Sequence, residues 1–118
     1  MANAFYEDDE AVVWACADVL REEYKRITDT GLTVQIDAPD IAEGWDQMNP
    51  EPSVEDYRAF SRVRIDALNH ALEGIDPSLV RFHVCWGSWH GPHTTDIPFK
   101  DIVDLALLVN ANGLTFEA

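Results

Sequence analysis

Basic residues are scarce in this sequence. Eight Lys and Arg stand against 22 Asp and Glu among 118 residues, giving a formal net charge of −14. A field of that sign repels phosphate backbones and anionic lipid headgroups, so no nucleic-acid and no membrane role is expected; it favours cations, metal ions included. Long apolar runs are also missing, and no stretch approaches the roughly 18 residues of a membrane span. The segment Met1–Glu10 carries Glu7, Asp8, Asp9 and Glu10 and no basic residue, unlike a secretory n-region. Two cysteines, Cys16 and Cys85, allow one disulfide at most; without an export signal the expectation is free thiols and a cytoplasmic protein. There is no glycine-rich phosphate loop, no Gly-x-Ser-x-Gly elbow and no Cys-x-x-Cys pair, so these routes to function lack a motif.

What is present is an ordinary globular composition, 47% apolar, enough for a packed core. At 118 residues the chain is at most one domain, residues 1–118 taken together. A closed barrel of eight β/α units needs about 250 residues, so only a few such units fit.

The order of elements reads α-β-α-β-α-β. Val12, Cys16, Val19, Leu20, Tyr24 and Ile27 recur at helical spacing and predict a first helix over 7–29, with Cys16 on its core-facing stripe. Gly31 follows as a stop, and Leu32–Ile36 predicts a strand. After a loop rich in proline and glycine, Ser53 and Asp56 predict the start of a second helix whose stripe runs Tyr57, Phe60, Arg64, Leu68, Ala71 and Leu72. Leu79–Val84 predicts a second strand. Pro98 opens a third helix that continues through Val109, and Leu114–Phe116 a third strand. Strands separated by helices run parallel through right-handed crossovers.

Asp37, His83, Cys85 and Glu117 each fall at or just past the end of a predicted strand. Forty-six residues separate Asp37 from His83 and 34 separate His83 from Glu117, one helix-plus-strand unit each. In a barrel or an open parallel sheet this gathers all four at one rim, where such folds build their sites. His83 and Cys85 are two apart and so point the same way from a strand. Imidazole nitrogen with thiolate sulfur suits zinc, and Glu117 offers a third ligand with a position left open for catalysis. Other readings stand beside this one. Cys85 is equally a buried apolar residue, His83 a strand-end cap and Asp37 a turn residue before Pro39. The loop 86–97 adds His90 and His93, which permits a local site of His83, Cys85, His90 and His93, and its paired tryptophans suit a lid over a small ligand.

At these residues the sequence resembles the cobalamin-independent methionine synthases, in part of their C-terminal catalytic barrel, and the shorter proteins related to them. Val34-Gln35-Ile36-Asp37-Ala38-Pro39 is similar to that family's Gln-Ile-Asp-x-Pro strand end. His83-Val84-Cys85-Trp86-Gly87 is similar to its His-x-Cys-aromatic motif, and Thr115-Phe116-Glu117 to the strand that carries its metal-binding glutamate. The likeness spans nearly all of Gly31–Ala118. It implies a partial TIM-type (β/α) barrel of about three units, in a zinc-dependent methyltransferase of methionine biosynthesis. By position it implies that His83, Cys85 and Glu117 hold zinc while Asp37 grips the ammonium group of a homocysteine-like thiol. The methyl donor would be a methylated folate, and some relatives activate a different thiol such as coenzyme M.

The family's further cysteine ligand and its proton-donating histidine have no counterpart here. The expectation is therefore a fragment with weak or no turnover, completed by a complementary barrel fragment or by self-association through an exposed edge strand. The alternative is a metal- or small-ligand-binding module without catalysis.

Overall fold

The computed structural model describes residues 3–117; Met1, Ala2 and Ala118, at the ends of the segments read above, lie outside them. Helix α1 (Asp9–Thr28) leads into β1 (Val34–Ala38), α2 (Val54–Ala71), β2 (Val80–Val84), the short α3 (Val103–Ala106) and β3 (Gly113–Phe116). The three strands form one parallel sheet in the order β1-β2-β3. The predicted alternation and the parallel pairing are both present. The result is a partial β/α fold with an open sheet, and a closed barrel is not shown.

Local chemistry accounts for the two long helices. The Asp8 carboxylate caps α1 by accepting from the Ala11 amide at 2.8 Å. Asp9 and Glu10 occupy its first turn and Lys25 and Arg26 its last, each sign at the favourable end of the helix dipole. Ser53 caps α2 by accepting from the Asp56 amide at 3.0 Å, and its hydroxyl donates to the Asp56 carboxylate at 2.7 Å. This departs from a capping box, in which the acidic side chain reaches back to the cap's own backbone N–H.

Strand parity divides the sheet. Val34, Ile36 and Ala38 of β1 and Val80, Phe82 and Val84 of β2 are buried in one cluster with Ile65 of α2, Leu72 at the C-cap of α2, and Ile102, Leu105 and Val109 around α3. The opposite face carries Gln35, Asp37 and Arg81, all exposed, with half-buried His83 and Thr115. One face is core and the other is polar, as a strand period of two dictates.

Three predicted details differ. First, β1 begins at Val34, not at Leu32, which is exposed. The register pairs Val34 with Val80, and residues 77–79 just before Val80 form a 3-10 turn, so Leu32 and Thr33 have no strand beside them. Second, Cys16 is exposed, not in the core. The buried side of α1 runs instead through Ala17, Val13, Trp14 and Tyr24 and meets Ala67 and Ala71 of α2. Small alanines on both helices let the backbones approach, while Val19, counted in the predicted stripe, is exposed. Third, the helix predicted from Pro98 to Val109 is broken. A 3-10 turn at Phe99–Asp101 precedes the four-residue α3, and fully buried Ile102 has φ −130°, outside the helical range. Past α3 the backbone is tied to α2, with Asn69 donating to the Leu108 carbonyl at 2.9 Å and accepting from the Asn110 amide at 2.8 Å.

Helix α2 is also clamped to α3 by Arg58, which makes a two-pronged pair with Asp104 at 2.7 and 2.6 Å. The Arg58 guanidinium holds the Asp104 carboxyl down to about 2. A carboxyl lowered in the folded state stabilises the fold above its unfolded value of 3.8, and that contribution disappears as pH falls toward 2. Stability therefore drops on acidification through this window. An Asp104→Asn variant should show a shallower drop in chemical denaturation at the same pH values, and its difference from wild type should shrink in salt.

Candidate metal centre

The strand ends bring three chemistry-bearing side chains together. Asp37 and His83 are register partners on adjacent strands, and Cys85 follows one residue past the end of β2 on the same side as His83. One potential ligand atom from each of Asp37, His83 and Cys85 lies within 4.8 Å of the other two. His83 and Cys85 are half-buried and Asp37 is exposed. This is the metal-ligand group found among the described residues. Glu117 is not part of it: it lies past the end of β3 and is exposed.

The surroundings fix the two half-buried donors. His83 Nδ1 lies 3.0 Å from the Thr115 hydroxyl, its register partner on β3, which leaves Nε2 as the nitrogen available for coordination. The Gly87 amide donates to Cys85 Sγ at 3.3 Å, a contact that supports negative charge on sulfur. The Glu43 amide donates to the Cys85 carbonyl at 3.2 Å, tying the loop after β1 to the loop after β2. Thr115 and Gly87 were not singled out from sequence, although Thr115 shares the strand parity of Glu117, which was.

Gly87 is required here on two grounds. Its φ is +88°, and a Cβ at this position would come within 2.8 Å of Glu43 Cδ. We expect Gly87→Ala to lower stability by about 1–3 kcal/mol and to weaken metal binding by shifting the amide that holds Cys85. Urea denaturation measures the first effect. Adding Glu43→Ala should relieve the collision but not the backbone strain, so the double variant should recover only part of the loss.

The loop 86–97 stands apart from the donor group. His93 engages both ring nitrogens, with Nδ1 2.9 Å from Asp96 and Nε2 3.2 Å from the Trp89 carbonyl. The Trp89 carbonyl first, then the Asp96 carboxylate and the charge of Glu117, push the His93 imidazole toward its protonated form. His90 is exposed. Neither histidine joins Asp37, His83 and Cys85, so the local site of His83, Cys85, His90 and His93 is not assembled.

A separate cleft of about 660 Å³ lies between α1, α2 and the loop after β1. Arg64 lines it with its guanidinium 3.2 Å above the Phe60 ring centroid and 3.3 Å from Asp40. Burial pushes the Asp40 carboxyl up and the Arg64 guanidinium down. None of the three metal-ligand candidates lines this cleft.

Among the described residues, no helix is long and apolar enough to cross a membrane. No family model matches the chain, and no solved structure does. Over 108 residues the chain is 27% identical to a methionine synthase of Sulfolobus acidocaldarius, an alignment covering 89% of this chain and 27% of that protein. The chain thus spans about a quarter of the length of the curated relative it matches, and the likeness supports a methionine-synthase-like relationship and nothing finer.

Proposed function

We propose that this chain forms the thiol-activating metal centre of a methionine-synthase-like methyltransferase. The observation that carries the reading is the approach of Asp37, His83 and Cys85 donor atoms to within 4.8 Å at the ends of parallel strands. Imidazole, thiolate and carboxylate are a donor set that suits zinc. When bound, zinc lowers the pKa of a coordinating thiol so that a nucleophilic thiolate forms near neutral pH.

The chain's own residues supply the rest. Thr115 holds the His83 ring so that Nε2 is the donating nitrogen, and the Gly87 amide steadies the Cys85 sulfur. Of the two carboxylates at this rim, Asp37 and Glu117, one completes the donor set and the other is left for the ammonium end of a homocysteine-like acceptor. The exposed polar face of the sheet gives the substrate access. The methyl donor in this reading is a methylated folate. The outer edges of β1 and β3, unpaired among the described residues, are where further β/α units of a complementary fragment or a second copy would extend the sheet.

The test is proton release. The zinc-loaded chain mixed with homocysteine at neutral pH should bind it with release of about one proton per thiol, read by a pH indicator. Homoserine, which lacks the sulfur, should release none. Zinc binding without any thiol-dependent proton release would leave a metal-binding module and overturn the thiol-activating reading.

A further inference from the structure

We propose that the loop 86–97 is a pH-operated strap beside the strand-end rim, fastened while the His93 ring carries protons on both nitrogens and slackened when it gives one up. The inference needs no metal ion and stands apart from the reading above. The two ends of the loop are anchored by other means. The Trp86 indole donates to the carbonyl of buried Ile97 at 3.3 Å, and the Gly87 amide donates to Cys85 Sγ at 3.3 Å. Between these anchors, residues 88–96 make no backbone–backbone hydrogen bond among the described residues. Each side-chain hydrogen bond of this tip passes through the His93 ring. The loop springs from Cys85, so its freedom sets access to that end of the rim.

Both partners of that ring are acceptors. Nδ1 faces the Asp96 carboxylate at 2.9 Å and Nε2 faces the Trp89 carbonyl at 3.2 Å. A neutral imidazole has one N–H, so it serves one partner and turns a lone pair on the other; only the imidazolium donates to both. The Trp89 carbonyl, then Asp96 within the loop and Glu117 just past β3, hold the imidazole above its ordinary value of 6.5. Asp96 and Glu117 are the charged groups that act on it. A raised value means that the strap is fully fastened below 6.5 and loosens as pH rises through the folded value. The carboxylate is the stronger acceptor and keeps the remaining proton, so the Trp89 carbonyl is the contact released. Trp89 therefore reports the event: its indole is exposed and folded across Gly91, where a Cβ would collide with Nε1.

Fluorine NMR of the full chain labelled with fluorotryptophan tests the strap, in a His90→Gln background that leaves His93 as the loop's histidine. Comparison with Trp89→Phe identifies the Trp89 resonance. From about pH 5 to 9, the range over which a raised histidine titrates, that resonance should shift and sharpen. Its midpoint should lie above 6.5 and match that of the His93 ring followed in proton–carbon spectra. His93→Ala should hold the Trp89 resonance at its alkaline position at every pH. Asp96→Asn keeps an acceptor for Nδ1 and removes the charge, so the midpoint should fall toward 6.5. His93 is exposed, so His93→Ala should melt with the parent chain; if it does not, the Asp96→Asn midpoint still decides. A Trp89 resonance that stays fixed while the His93 ring titrates, or a midpoint unmoved by Asp96→Asn, overturns the proposal. The readout uses no zinc, so failure of the strap and failure of the metal reading are told apart.

Discussion

Replacing Cys85 with serine should lower zinc affinity by at least about 100-fold, beyond the range of outer-shell effects. A thiolate brings full negative charge and a soft sulfur donor to the ion, whereas a serine hydroxyl near neutral pH brings neither. The sulfur also loses its contact with the Gly87 amide at 3.3 Å, so the replacement cannot borrow the same support. His83→Ala should act as strongly, because it removes the imidazole donor of the group while leaving the backbone register with Asp37 and Thr115 in place. Thr115→Val keeps the imidazole but frees its ring, and should cost roughly 10–100-fold. Competition for zinc against a chromophoric chelator at fixed pH measures all three. If Cys85→Ser binds as tightly as wild type, the ion sits elsewhere and the metal reading fails.

Phe82→Ala should be the most damaging core substitution, at about 3–5 kcal/mol. Phe82 is 1% exposed, sits mid-strand in the central strand and is flanked in register by Ile36 and Leu114. Its strand is held by backbone ladders on both sides, so the sheet has little freedom to collapse into the vacated space. Domains of this size carry about 5–15 kcal/mol in total, so the variant should unfold at a much lower urea midpoint with a similar slope. A loss below about 1 kcal/mol would mean that the sheet is not the centre of the core.

Much of this was legible because strand periodicity is strict. Val80, Phe82 and Val84 alternate with Arg81 and His83, and the same parity carries over one residue to Cys85. The pairing of Asp37 with His83 was foreseeable from parallel order, but the frame of β1 was not, since Leu32 looks as strand-like as Val34. The frame is set by a partner far away in sequence, since β1 pairs from Val34 with Val80 and the residues before Val80 form a 3-10 turn. Helix faces were less legible. Cys16 and Val19 fit an apolar stripe, yet the alanines at 17, 67 and 71 made the contact, because close backbone approach outweighed side-chain size. The third helix failed at Ile102, where burial of one residue took precedence over continuous helix. Thr115 and Gly87 act through contacts that only the folded register creates, so no local pattern announces them.

The two-faced character of β2 has a further consequence. His83 and Phe82 are neighbours in the chain but serve opposite sides of the sheet. A pairing slip of one residue would send Phe82 to the open face and His83 into the core. Such a misfolded chain would lose its packing and its donor group in the same event. In the reading proposed above, zinc binding at this rim would therefore report that β2 had been placed in its correct frame.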